Sequence, residues 1–410
     1  MEPRQQVEIQ LGHMCNNRCV FCVSGQRTAR GEAGPMAVEP ILGEIRAARA
    51  RGHAKITLLG GEPTLQPGFL DVVRECARLG FEEVVVFTNG AKTANPDRID
   101  EILATGANVA WRISIQGATE TTHERTTKKD GSFGRIQRTL EHLAARSQRV
   151  SVNMCVVGSN FEDVDRFAEW LPRANVWQLH LDLMRPLDAG ERTEDELREM
   201  MPPLRELTAP MERLARAMPA GFDVNFGNVP YCVAPSLIPW IHHDGERTET
   251  IAVDSNDALS RPWNKYLVKA RDKVKPESCR RCAMDDRCSG IYEHQGRFHG
   301  TRDLVPIRLA QSPETIPERR TFLAPALADA LARLRRRGPF GALRTVEQSL
   351  ASERAELVLE CPDGARATVW LDLRARPHLG YRLDGAPTAA MKEGLASMIH
   401  VLRAPAEVRP

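Results

Sequence analysis

The chain has 410 residues, 27% charged and 42% hydrophobic, with 56 basic side chains against 54 acidic ones. That length allows one large domain plus one or two small ones, and the near-balanced charge gives no field that would call for nucleic acid or an anionic membrane. No signal peptide is expected before the first apolar segment, no apolar run approaches a membrane span, and six of the ten cysteines fall in two close groups; the expected setting is a reducing cytoplasm in which those groups bind metal.

Val7-Glu8-Ile9-Gln10-Leu11 alternates like a half-buried strand, and Cys15-Asn16-Asn17-Arg18-Cys19-Val20-Phe21-Cys22 follows it. Three thiols on so short a loop can hold three corners of an iron-sulfur cube, since each thiolate binds one iron. The fourth iron is then left to a small chelating molecule. Zinc motifs instead favour paired Cys-x-x-Cys units with Cys or His partners, and no such pair stands nearby.

From Val7 to about Pro186 strand and helix patterns alternate. Strands are expected at Val7–Leu11, Lys55–Leu59, Glu83–Phe87, Asn108–Ile115, Arg149–Val157 and Val176–Met184. Amphipathic helices are expected between them at Ile41–Arg51, Leu70–Leu79, Ile99–Ala104, Ile136–Ala145 and Phe161–Leu171. Six such units predict an α/β fold built on a parallel sheet, closed or partly closed into a barrel, with the loops after the strands on one face.

The second strand runs into Gly60-Gly61-Glu62-Pro63-Thr64, where paired glycines let backbone come close to a ligand and Pro63 fixes the exit. Thr88-Asn89-Gly90 ends the third strand and Ser114-Ile115-Gln116-Gly117 the fourth. From the basic stretch His123–Lys129, Arg125 or Lys128 could reach a carboxylate; the equal alternative is a solvated loop before the helix that follows Phe133. On the sixth strand Leu179, Leu181 and Leu183 alternate with His180, Asp182 and Met184; leucines packed on helices would leave His180 and Asp182 inside, as a substrate or adenine contact or as satisfied interior groups.

These motifs together resemble the radical S-adenosylmethionine (SAM) enzymes, over roughly residues 7–305. The resemblance implies a partial (βα)6 barrel. Cys15, Cys19 and Cys22 would hold a 4Fe-4S cluster, whose open iron takes the amino and carboxylate groups of SAM. Reductive cleavage would then yield a 5'-deoxyadenosyl radical that abstracts hydrogen from substrate. It further implies cofactor contacts from Phe21, Gly60, Gly61, Glu62 and Ser114, with Asn153 on the fifth strand as a further polar contact. Many relatives have Asp-Gly where this chain has Gln116-Gly117, which leaves one charge fewer on that face.

Residues 193–218 read as helix. Beyond them Cys279-x-x-Cys282-x-x-x-x-x-Cys288 supplies three thiols in ten residues, and Cys232 a fourth from a distance. The segment resembles the SPASM and twitch extensions of the same family. The cysteine those extensions place four residues after the Cys288 position is Tyr292 here, so one auxiliary 4Fe-4S cluster is implied rather than two. A four-cysteine zinc site is the competing reading. Cys76 and Cys155 read as apolar filling, and Cys361, at a turn, as a non-ligand held in reserve should Cys232 fail.

The last hundred residues lose the resemblance: a helix over Pro325–Arg337 with a basic end, strands within Glu356–Leu373 around Pro362-Asp363-Gly364 and at Leu379–Leu383, and a closing helix over Ala389–Leu402. The expected domains are a barrel (1–190), a helical linker with the auxiliary cysteines (191–305) and a small α+β appendix (306–410). The expected function is oxidoreductase-type radical chemistry on a peptide or protein, fed by an electron donor such as flavodoxin or ferredoxin. Oxidation or rearrangement of a small polar metabolite is the alternative, and a non-catalytic metal scaffold the reading from another class.

Overall fold

A computed structural model describes residues 6–219, 222–242, 248–285, 288–307, 327, 330–331, 333–334, 340–351, 354–372 and 378–403. The chain divides into two compact units, Met1–Ala217 with Val224–Ala310, and Met218–Asp223 with Gln311–Pro410.

Six strands build the first unit in sequence order: β1 (Gln6–Gln10), β2 (Lys55–Leu59), β3 (Glu83–Thr88), β4 (Val109–Ser114), β5 (Val150–Val156) and β6 (Val176–Leu183). Each pairs in parallel with the next. β1 and β6 are not neighbours, so the sheet stays open, as a partial barrel requires. Between the strands lie α1 (Val23–Ala29), α2 (Val38–Ala50), α3 (Phe69–Arg78), α4 (Pro96–Leu103), α5 (Glu120–Thr127) and α6 (Ser132–Ala145).

Alternation along the strands sorts side chains by face. Ile9, Ile56, Leu58, Val84, Val86, Ile113, Val152, Leu179 and Leu181 are fully buried, as are Ile45, Val73, Ile99, Ile102, Ile136 and Leu143 of the helices. Burying each such side chain contributes about 1.5–3 kcal/mol. The other face carries Glu8, Gln10, Ser114, Asn153, His180 and Asp182, a polar interior. Glu8, buried on that face, is held ionised by Lys265, whose Nζ donates to both its oxygens at 2.8 and 2.9 Å.

Several elements depart from the sequence expectation. His123–Lys129 is not a loop before a helix: most of it is α5, capped by the Thr119 hydroxyl and closed by Lys128 in the left-handed conformation. Its polar residues disguise burial, since Thr122 bonds to Asp163 and Thr126 to Ser159. The helix expected over Phe161–Leu171 is a single α turn, α7 (Phe167–Trp170), between two 3-10 turns. The helix expected over 193–218 is two, α8 (Glu194–Met200) and α9 (Leu204–Ala217), separated at Pro202-Pro203.

The sheet also extends beyond six strands. β7 (Asp223–Gly227) and β8 (Ile241–His242) continue it past β6, while β9 (Thr248–Ile251) and β10 (Trp263–Asn264) add to it beside β1. α10 (Lys265–Arg271), β11 (Lys273–Val274), β12 (Ile291–Tyr292) and α11 (Glu293–His299) frame the later cysteines.

The second unit has an antiparallel sheet of β13 (Arg344–Ala351), β14 (Arg354–Glu360), β15 (Arg366–Asp372) and β16 (Leu379–Asp384), and a helix α12 (Ala389–Arg403). The β13 strand was not anticipated from sequence. Leu327, Ala330, Leu331 and Leu334, from the expected helix, share a core with Leu357, Val369, Met391 and Leu395; Pro325 and Arg335–Arg337 lie outside the described residues. Cys361 is buried in that core, which suits packing and not metal ligation.

Candidate active site

Past β1 the chain enters the cysteine loop, which is held from three directions. The Arg18 and Val20 amides donate to the Thr127 and Thr126 carbonyls at the end of α5, at 2.9 and 3.0 Å. The Gly61 and Glu62 amides donate to the Gly12 and Met14 carbonyls, both at 2.8 Å. Asn89 Nδ2 donates to Asn16 Oδ1 at 2.7 Å and approaches Cys15 Sγ at 3.7 Å. Cys22 then caps α1 in an extended conformation.

The paired glycines are required by this docking. A Cβ on Gly61 would lie 2.3 Å from the His13 carbonyl oxygen and 2.5 Å from that of Met14, and Gly60 has φ 154°. The nearest neighbour of Gly60-Gly61 is thus the cysteine loop itself. Glu62 is 1% exposed. Its Oε1 accepts from the Thr64 amide, Thr64 Oγ1 and Thr88 Oγ1 at 3.1, 2.6 and 2.7 Å, and its Oε2 from the Asn89 amide at 2.7 Å. Burial still pushes its carboxyl above the ordinary value, against the pull of these donors. Oε2, with a single donor, keeps acceptor capacity. Asn89, named in sequence only as part of a turn, ties Glu62 to the thiol loop.

Ser114, Asn153 and His180 stand in register across β4, β5 and β6. Ser114 Oγ accepts from Gln116 Nε2 at 2.5 Å, and Gln116 Oε1 accepts the Cys155 amide at 3.0 Å. The Gln116 amide donates to His123 Nδ1 at 2.9 Å. Phe21 is half-buried against a cluster containing Met184, Met200 and Tyr292, with Cys155 beside it.

The second cysteine set also converges. Cys279 lies in the 3-10 turn Glu277–Arg281, and the Cys282 amide donates to its carbonyl at 2.9 Å. Cys282 Sγ receives the Ile307 amide and Cys288 Sγ the Gly290 amide, both at 3.4 Å. Cys232, just after β7, feels all three: burial first, then Cys288, Cys282 and Cys279, push its thiol up to about 12. Tyr292, at the SPASM cysteine position, is buried among apolar side chains with its ring 5.1 Å from Lys273 Nζ.

Both sets suit iron-sulfur ligation. Burial, then the Glu62 carboxylate, pushes Cys15 up to about 12; burial and the Cys22 and Cys15 thiols hold Cys19 well above the ordinary thiol range, and burial raises Cys22. Such thiols become thiolates only beside a strong positive charge, which iron supplies. Among the described residues no three cysteine sulfurs lie within 4.8 Å of one another. Zinc at about 2.3 Å from each sulfur would draw four thiolates to about 3.8 Å apart, whereas a four-iron cluster gives each thiolate its own iron.

A cavity of about 1380 Å³ opens at the rim formed by the segments after β1, β4, β5 and β6. Arg18, Arg125, Lys128 and Arg192 line it together with Glu162 and Glu199. Arg125, one of two cations expected to meet a carboxylate, donates here to the Ser159 carbonyl.

An open parallel α/β sheet with a three-thiol loop after its first strand, and four further thiols in the same unit, suits iron-sulfur chemistry. Residues 9–171 match the sequence model of the Radical SAM superfamily. The superfamily uses a 4Fe-4S cluster and SAM, and the further cysteines fit an auxiliary cluster. The chain is 28% identical over 211 residues to a "Probable GTP 3',8-cyclase" of Saccharolobus solfataricus, covering 48% of this chain and 64% of that protein. It is 30% identical over 186 residues to the "Sporulation killing factor maturation protein SkfB" of Bacillus subtilis, covering 45% of this chain and 43% of the relative. It therefore spans less than two thirds of these relatives. In fold it is similar to Streptococcus suis SuiB bound to S-adenosylmethionine, with TM-score 0.50, 14% identity, and 76% and 77% of the two chains covered. Among the described residues no helix is long and apolar enough to cross a membrane.

Proposed function

We propose that this chain cleaves SAM reductively and uses the radical to modify a peptide. Cys15, Cys19 and Cys22 would hold the cluster at the barrel mouth. Oε2 of Glu62 and the backbone of Gly60-Gly61 would meet the amino group of SAM, Ser114 and Asn153 its ribose or carboxylate, and Phe21 would wall the site. When bound, cluster and SAM supply the one-electron cleavage that generates a 5'-deoxyadenosyl radical. The polar inner face orients the cofactor, and the surrounding loops limit water, so that the radical meets substrate first. Cys232, Cys279, Cys282 and Cys288 would hold the auxiliary cluster, placed to receive an electron when the net change is an oxidation. A one-electron protein such as flavodoxin or ferredoxin would supply the reducing equivalent.

The observation that carries the peptide reading is the rim cavity. Small-molecule pockets run to roughly 300–1,000 Å³; this one is larger and is lined by both cations and carboxylates, which favours a polypeptide segment as its occupant. The maturation role in the name of SkfB agrees. The cyclase relatives favour a second reading, a nucleotide substrate. The test is to supply the reduced, reconstituted enzyme with SAM and either a short peptide encoded beside its gene or GTP. Faster 5'-deoxyadenosine release with a mass change in the peptide is the expected outcome. Consumption of GTP, with the peptide unaltered, would sink the peptide reading.

A further inference from the structure

His180, Asp182 and His242 bring one ligand atom each within 4.8 Å of one another, the single such group of His, Cys, Asp or Glu among the described residues. His180 Nε2 lies 2.9 Å from Asp182 Oδ2, and the two imidazole rings are 4.7 Å apart between centroids. Two atoms each about 2.1 Å from one metal and at a right angle are about 3 Å apart, so the first pair needs no rearrangement to bind together.

The strands around the group make room for it. Asp182 is the penultimate residue of β6 and His242 ends β8, and between these strands Gly227 of β7 is in register with His242. A Cβ on Gly227 would fall 1.9 Å from Asp182 Oδ1 and 3.2 Å from His242 Cε1. The other carboxylate oxygen is also fixed: Asn228 Nδ2 donates to Asp182 Oδ1 at 2.7 Å, and Lys273 Nζ holds Asn228 Oδ1 and Ser289 Oγ, each at 2.7 Å. Metal-binding carboxylates are commonly oriented in this way.

We propose that His180, Asp182 and His242 form a third metal site, separate from both cysteine sets, that takes one divalent first-row cation such as Zn²⁺ or Fe²⁺. Two imidazoles and a carboxylate suit those ions and leave coordination positions open. His180 is in register with Asn153 and Ser114, so the ion would sit on the inner face beside the row assigned to SAM, where its open positions could bind a substrate amine, carboxylate or phosphate oxygen.

The test uses holoenzyme with iron already in its cysteine sites, equilibrated with Zn²⁺ under anaerobic conditions. Wild type should bind one zinc equivalent with nitrogen and oxygen neighbours at about 2.0–2.1 Å by zinc-edge X-ray absorption. His242→Gln and Asp182→Asn should weaken that binding at least about tenfold, with iron content and cluster absorbance unchanged. Equal zinc binding in wild type and both variants, or sulfur neighbours at about 2.3 Å in wild type, would overturn the proposal. Where a variant loses iron through misfolding, the wild-type spectrum alone decides. Because the readout is zinc, a negative result leaves the radical reading intact.

Discussion

Glu62 joins the end of β2 to the end of β3 through bonds to Thr64, Thr88 and Asn89, and Asn89 carries the connection on to Cys15. Glu62→Gln would set an amide among four donors and should cost on the order of 2 kcal/mol, measured as a lower urea midpoint. His123 gives a pH-dependent prediction. Burial lowers it from the ordinary 6.5 to about 4, and its neutral Nδ1 accepts the Gln116 amide. Below pH 6.5 the unfolded chain takes a proton that the folded chain refuses until about pH 4. Stability should therefore fall by up to about 3 kcal/mol as pH drops through that window, and His123→Gln should flatten the slope of urea midpoint against pH. At this scale the cysteines and Gly-Gly-Glu were legible because their meaning lies in spacing. The positions of Asn89 and His123 were not, since their partners stand 74 and 7 residues away and only folding reveals them.

The elements show the same division. Apolar alternation marked all six barrel strands to within a residue or so at either end, because each buries its helix-facing side. α5 was missed because its buried face is made of Thr and His satisfied by hydrogen bonds. β8 and β10 are two residues long, too short for any pattern. One junction between elements can be tested directly. Gly61→Ala would drive its methyl group into the carbonyls of His13 and Met14 and push the turn after β2 off the cysteine loop. We expect the variant to keep its far-ultraviolet circular dichroism and lose about four irons, those of the first cluster; full iron retention would show that the loop does not depend on this contact.

For the whole molecule, all seven cysteines proposed as ligands lie in the first unit, and the second has a core of its own. A chain of residues 1–310 should therefore retain SAM cleavage, measured as 5'-deoxyadenosine released per minute, even if substrate turnover is lost. The central claim is that two cysteine sets carry two clusters of different duty. Its most direct test is iron and zinc content after anaerobic reconstitution, together with 5'-deoxyadenosine formation, in wild type and in two variants: Cys15→Ala/Cys19→Ala/Cys22→Ala and Cys279→Ala/Cys282→Ala. The account predicts about eight irons in wild type and about four in either variant, with cleavage abolished in the first and retained in the second. About four irons plus zinc in wild type, with the zinc lost in the Cys279→Ala/Cys282→Ala variant, would contradict it and make the second set a structural zinc site.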